Sequence, residues 1–260
     1  MKIVAITMLK GGTGKTTFAV HTTHFLGGKG HKTLLVDVDR QANASRSFVQ
    51  EVSPRGASLL YTKGGARKVE VQPADDVENV FVIAADPGLR AVREDQVPLF
   101  VENLRAIAKR EKFDYVVLDT PPTPHDDMAA PLDVADFVFA PIVPDVYGLG
   151  NAHDLNERIQ EARERRGDGL TFLGFVPTRY NARIKGHREV LDAMKSAFDD
   201  ELSPIVVNER AAYVNASFEG KPVWEVLDEN RNLGGATRVA AKEMRGALNW
   251  LYKKMEATNG

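Results

Sequence analysis

The stretch Leu9-Lys10-Gly11-Gly12-Thr13-Gly14-Lys15-Thr16-Thr17 leaves this chain few ways to fold. It follows the β-branched run Ile3–Thr7 and precedes a segment in which Phe18, Thr22, Phe25 and Leu26 recur at helical spacing, so it joins a buried strand to a helix. In that setting the glycines let successive backbone N–H groups turn inward on an anion, and the helix amino terminus adds its partial positive charge. Lys15 is placed to reach the β and γ oxygens of a nucleotide and Thr16 to offer a hydroxyl to magnesium, with Lys10, Gly11, Gly12, Thr13, Gly14 and Thr17 completing the cradle. The common phosphate-loop pattern has glycine at position 9. Here Leu9 stands there and Lys10 follows at once.

Beyond the loop, the runs Thr33–Val38, Val80–Ala84, Tyr115–Leu118, Phe137–Val143 and Leu170–Val176 read as strands buried on both faces. They alternate with helical patterns such as Phe100, Leu104, Ile107 and Ala108, which predicts a doubly wound α/β fold, a mostly parallel sheet with helices on both faces. Between Ser53 and Asp76, glycines and Pro73 interrupt weak apolar segments, and an irregular connection is expected. With 43% apolar residues, the chain is expected to form one domain over residues 1–260. Cysteine is absent, which excludes disulfides, iron–sulfur ligation and thiol catalysis and fits a cytoplasmic setting. The amino terminus runs straight into the glycine loop, unlike a signal peptide, and no apolar run approaches the ~20 residues of a membrane-spanning helix.

Two strand ends carry acids. Asp37 and Asp39 close the run from Thr33, and Asp119 closes the run from Tyr115, each at the edge where a doubly wound sheet binds ligands. Magnesium takes hard oxygen ligands and keeps several waters, so one carboxylate near Thr16 is enough; Asp119 fits that part. From Thr178 to Arg188 the chain carries Arg179, Arg183, Lys185 and Arg188 with no acid among them, the clearest local basic patch in a protein whose 34 basic and 36 acidic side chains otherwise nearly cancel. A solvated helix approach would have the same composition.

The form K-G-G-x-G-K-T at Lys10–Thr16 resembles the ParA/MinD family of P-loop ATPases, whose phosphate loop is a deviant Walker A motif. Asp37-Val38-Asp39-Arg40-Gln41 is similar to the family's D-x-D-P-Q, with Arg40 in place of proline. Tyr115–Pro122 with the preceding Phe113-Asp114, and the later Val134–Pro144, follow the family's next two strands. The resemblance implies ATP and Mg2+ as cofactors. It also implies that Lys10 reaches across a homodimer to the partner's phosphates, that Asp39 orients the attacking water with Lys10 and Lys15 as its catalytic companions, and that Asp37 supports the metal shell of Thr16 and Asp119. Adenine preference is implied as well, with Thr178 and Asn208 as candidate contacts. Asn208–Tyr213 is similar to the R-x-A-Y stretch of small ParA proteins, and Arg183 and Arg210 match positions tied there to non-specific DNA binding.

The resulting expectation is a nucleoid-associated ATPase that dimerises with ATP, binds DNA without sequence preference and is stimulated by a ParB-type or cargo-adaptor protein. Because the chain starts at its first strand, an amino-terminal operator-binding domain is not expected. The alternative is a MinD-like membrane switch using the last helix, about Gly235–Met255, where Val239, Met244, Leu248, Leu251 and Met255 share a face. A third reading is a metabolic ATP-dependent ligase on a related P-loop fold.

Overall fold

The computed structural model describes residues 1–122, 129–167, 169–227 and 232–258. Its strands are β1 (Lys2–Ile6), β2 (Thr33–Asp37), β3 (Gln72–Pro73), β4 (Val80–Ile83), β5 (Tyr115–Asp119), β6 (Phe137–Ile142), β7 (Thr171–Tyr180) and β8 (Val207–Asn208). The helices are α1 (Lys15–Gly28), α2 (Val97–Arg110), α3 (Ala129–Val134), α4 (Gly148–Arg166), α5 (Lys185–Phe198), α6 (Ala211–Glu219) and α7 (Gly235–Ala257). The strands form one sheet in the order β3-β4-β2-β5-β1-β6-β7-β8, parallel throughout except where β3 runs against β4.

Side chains alternate across this sheet as the strand period requires. Ile3, Leu34, Val36, Val116 and Leu118 pack with Phe100 and Leu104 of α2 and Leu155 of α4. Val4, Ile6, Leu35 and Val117 face the other layer, with Phe18 and Leu26 of α1 and Met244 and Leu248 of α7. Both faces are therefore covered, which is why the strands read as continuous apolar runs. The register aligns the carboxyl ends: Ile6 and Asp37 each pair with Asp119. The phosphate loop thus leaves β1 beside both acidic strand ends.

Three parts of the chain fill in or extend the expected outline. The connection from Ser53 to Asp76 contains short 3-10 turns at Ala57–Tyr61 and Gly65–Arg67 and then the edge strand β3. Buried Asn103 of α2 fixes this connection from beneath, donating Nδ2 to the carbonyls of Leu60 and Thr62 and accepting the Ala66 N–H. Strand β7 continues past Val176 to Tyr180, and the two-residue β8 pairs with that extension. In α7, Met244, Leu248, Leu251 and Met255 are buried in the core while Val239 remains 45% exposed.

Candidate active site

At the end of β1 the chain turns through left-handed backbone at Gly12 (φ 72°) and Gly14 (φ 100°), a region that favours residues without Cβ. Gly14 is also the N-cap of α1 and supplies no side-chain cap, so the first N–H groups of the helix keep their positive ends free for an anion. The loop is held from behind. The Thr178 hydroxyl donates to the Thr13 carbonyl at 2.8 Å, and the Arg179 guanidinium to the Gly12 carbonyl at 2.9 Å. Arg179 itself stands at φ 49°, an unfavourable value for a non-glycine residue, sustained here by its contacts.

Lys15 is 6% exposed and folds its ammonium onto the carbonyls of Met8 (3.0 Å) and Lys10 (3.1 Å). Burial lowers its pKa to about 8, against the pull of Asp119 and Asp39. Asp119 is fully buried, and among the described residues neither of its carboxyl oxygens has a hydrogen-bond partner. Burial pushes its pKa well up, nearby Asp37 and Asp39 add to that, and the Lys15 charge opposes it. A buried carboxyl group with two unengaged oxygens beside a threonine hydroxyl fits a hard divalent cation shared with phosphates.

Asp37 is engaged differently. Its Oδ1 accepts the Asp39 N–H at 3.0 Å, and its Oδ2 accepts both the N–H (2.8 Å) and the hydroxyl (2.7 Å) of Ser45. Burial raises its pKa to about 6 even so, because those hydrogen bonds only partly offset the desolvation. Asp37 thus holds the turn that presents Asp39, while Asp119 is the acid without a hydrogen-bond partner among the described residues. Asp39 accepts the Gln41 N–H at 3.0 Å and lines the same cleft as Lys15 and Thr16.

That cleft measures about 630 Å³ and continues from the phosphate loop to an end lined by Val207, Asn208, Tyr213, Val214, Phe218 and Met244. The phosphate end is polar and the far end largely apolar, the arrangement a nucleotide requires. A family model described as an AAA domain matches residues 1–172. The chain belongs to the ParA/MinD family of P-loop ATPases.

This ATPase is 29% identical to the protein IncC of Escherichia coli over 98% of its own length and 70% of the relative's. It is 27% identical to the sporulation initiation inhibitor protein Soj of Bacillus subtilis, covering 90% of the chain and 93% of Soj. Among solved structures, a Cyanothece McdA variant in complex with ATP superposes with a TM-score of 0.79 at 25% identity, over 97% of this chain and 96% of that one. The protein is an ATPase that uses ATP with Mg2+, consistent with the cradle and with the unengaged oxygens of Asp119.

In the ParA/MinD-type ATPase the remaining expected residues fall into separate groups. Lys10 does not line the cleft with Lys15; its ammonium pairs with Asp145 at 2.5 Å and lies 5.2 Å from the centre of the Tyr147 ring. Thr178 lines the cleft, but its hydroxyl donor is engaged by Thr13 and, at 3.3 Å, Ile142. Asn208 lines the far end with its amide nitrogen bound to Glu243. The basic residues divide as well. Arg179 pairs with Glu209 and Arg210 with Glu243, both at the cleft, whereas Arg183, Lys185 and Arg188 are exposed around the start of α5. Sequence reasoning missed Ser45, Asp145 and Glu243. None lies in a recognisable motif, and each gains its role through a tertiary contact.

Proposed function

We propose that this ATPase positions DNA or another large cargo by a cycle in which ATP joins two subunits and joining creates a DNA-binding surface. The observation that carries the reading is the location of Lys10, a loop lysine outside its own chain's cleft. Around it, Val146 (82%), Tyr147 (67%) and Leu149 (39%) expose apolar surface that a second subunit would cover. In a joined pair Lys10 would meet phosphates held by the other subunit, and charge would be stabilised there only once both subunits are present.

Within one subunit, the left-handed loop and the α1 amino terminus hold the phosphates, Lys15 neutralises them, and Asp39 orients the attacking water from a turn locked by Asp37 and Ser45. Magnesium bound at Thr16 and Asp119 would neutralise phosphate charge and fix its geometry. Adenine would sit at the Asn208 end. For DNA, the exposed Arg183, Lys185 and Arg188 form the available surface, since Arg179 and Arg210 are engaged at the cleft. A nucleoid-associated, cytoplasmic protein stimulated by an adaptor on the cargo follows from this cycle, in keeping with relatives that include a chromosome partitioning protein ParA of Caulobacter vibrioides. Most of the apolar stripe of α7 packs in the core, which weighs against the membrane switch; no helix among the described residues is long and apolar enough to cross a membrane.

DNA retention tests the reading. With ATP and magnesium the protein should bind DNA of any sequence, with ADP much less, and six phosphate contacts per pair would give a log–log salt slope of about −5. Arg183→Glu combined with Arg188→Glu should abolish retention and leave ATP binding intact. Retention that ignores nucleotide, or survives both substitutions, would remove DNA as the track.

A further inference from the structure

The base end of the cleft contains a carboxylate whose geometry dictates how a neighbouring amide faces. Glu243 of α7 accepts four hydrogen bonds: the Asn208 backbone N–H at 3.2 Å, Asn208 Nδ2 at 2.7 Å, and Arg210 Nε and Nη2 at 3.0 and 2.6 Å. A carboxylate gripped by a guanidinium and two N–H groups has only acceptors to offer. The Asn208 amide therefore has one orientation. Turning it over would set its carbonyl oxygen against the Glu243 oxygens and lose a bond in a half-buried site.

With Nδ2 committed, Oδ1 is left as an acceptor without a hydrogen-bond partner among the described residues, on a residue that lines the cleft. Most neighbouring polar groups are engaged elsewhere, Glu209 with Arg179 among them. Tyr213 donates its hydroxyl to the Ala240 carbonyl at 2.9 Å, Arg210 is held by Glu243, and the Thr178 hydroxyl is engaged behind the phosphate loop. Ser217 also lines the cleft, but a rotatable hydroxyl donates or accepts as required and so discriminates little.

We propose that Glu243 is a positioning residue for base selection: by fixing the Asn208 amide it leaves a carbonyl oxygen facing the base, so the site prefers a purine with an amino group at position 6 to one with an oxo group there. The 6-amine donates to that oxygen. A 6-oxo group at the same ring position sets acceptor against acceptor, and the amide cannot turn to relieve it while Glu243 holds the nitrogen. This rests on the reading that the base occupies the Asn208 end of the cleft.

The test is competitive binding of ATP and inosine triphosphate, which carries a 6-oxo group and lacks the 2-amine of guanine, to wild type, Asn208→Ala and Glu243→Gln. Wild type should prefer ATP by about 100-fold, the upper scale of the cost of leaving one buried acceptor unsatisfied. Asn208→Ala should bring the two affinities together. Glu243→Gln offers an NH2 of its own to Asn208, allows the flipped amide, and should tighten inosine triphosphate binding so that the ratio falls at least about tenfold. A gain for the oxo nucleotide cannot come from a damaged fold. Wild type binding both nucleotides equally would overturn the proposal without any variant. A ratio unmoved by Asn208→Ala would show that the base lies elsewhere, whereas a ratio moved by Asn208→Ala but not by Glu243→Gln would reduce Glu243 to a structural role.

Discussion

Lys15, Asp39 and Asp119 lie near one another in three different settings, and on the proposed roles the differences predict how their variants separate. Lys15 is buried and held by backbone carbonyls of its own loop, so an incoming phosphate finds it already in place. Lys15→Ala should lower ATP affinity by at least about 100-fold, as expected for removing a charge-assisted contact from a buried anion site; a fluorescent-ATP titration reads this directly. Asp39 instead hangs on a turn fixed by Asp37, with its side chain accepting the Gln41 N–H. Asp39→Ala should bind ATP with near wild-type affinity and lose hydrolysis by about 100-fold or more, the range of general-base contributions; phosphate release measures it, and wild-type turnover would overturn the assigned role. The cradle and both acidic strand ends were legible in the sequence because each is a local pattern at a strand terminus. Glu243 and Asp145 were not, because their meaning comes from partners 35 and 135 residues away.

At the scale of elements, the strands visible in sequence are those buried on both faces, where apolar runs have no polar interruption. Strand β8 escaped notice because two residues carry no periodicity, and β3 because Pro73 reads as a break; an edge strand tolerates it. Strand β7 also carries an irregularity before its extension. Opposite the shift between Val138 and Phe139, Gly174 adopts φ 124°, and a Cβ there would lie 2.2 Å from the Glu201 carbonyl oxygen. Gly174→Ala should therefore destabilise the protein by about 2–4 kcal/mol through combined strain and overlap. Urea unfolding would show it as a lowered midpoint, and an unchanged midpoint would mean that the bulge can migrate. The membrane reading of α7 was equally open in sequence, since a stripe at helical spacing has the same form whether it meets lipid or a sheet.

For the whole molecule, stability carries the imprint of two histidines on α1. His21 donates Nδ1–H to the Thr17 carbonyl at 2.7 Å and accepts the Val223 N–H at Nε2, so it is neutral; burial lowers its pKa to about 4. His24 stacks on Phe48 with its buried Nε2 unpartnered among the described residues, and burial together with nearby His21 lowers its pKa to about 3. In the unfolded chain both take a proton near pH ~6.5, so their contribution is complete above that value and declines as pH falls toward their folded pKa values. Asp37, raised to about 6, acts in the opposite sense over part of the same range, which makes a difference measurement the clean one. His24→Phe should gain stability relative to wild type as pH drops from ~7 to ~5, by up to about 1.4 kcal/mol per unit. Parallel melting curves at the two pH values read that difference, and a constant offset would exclude His24 as the cause.

The ties from Thr178 and Arg179 to the carbonyls of Thr13 and Gly12 bear on timing. A loop braced from behind does not have to organise itself around its ligand, so capture can proceed as fast as a correctly oriented encounter allows. Loading is then not the slow hand of the clock. On the proposed cycle the dwell time of the loaded protein would be set by the later arrival of Lys10 at a partner's phosphate, and a population of such molecules would measure how often they meet one another more than how much nucleotide surrounds them.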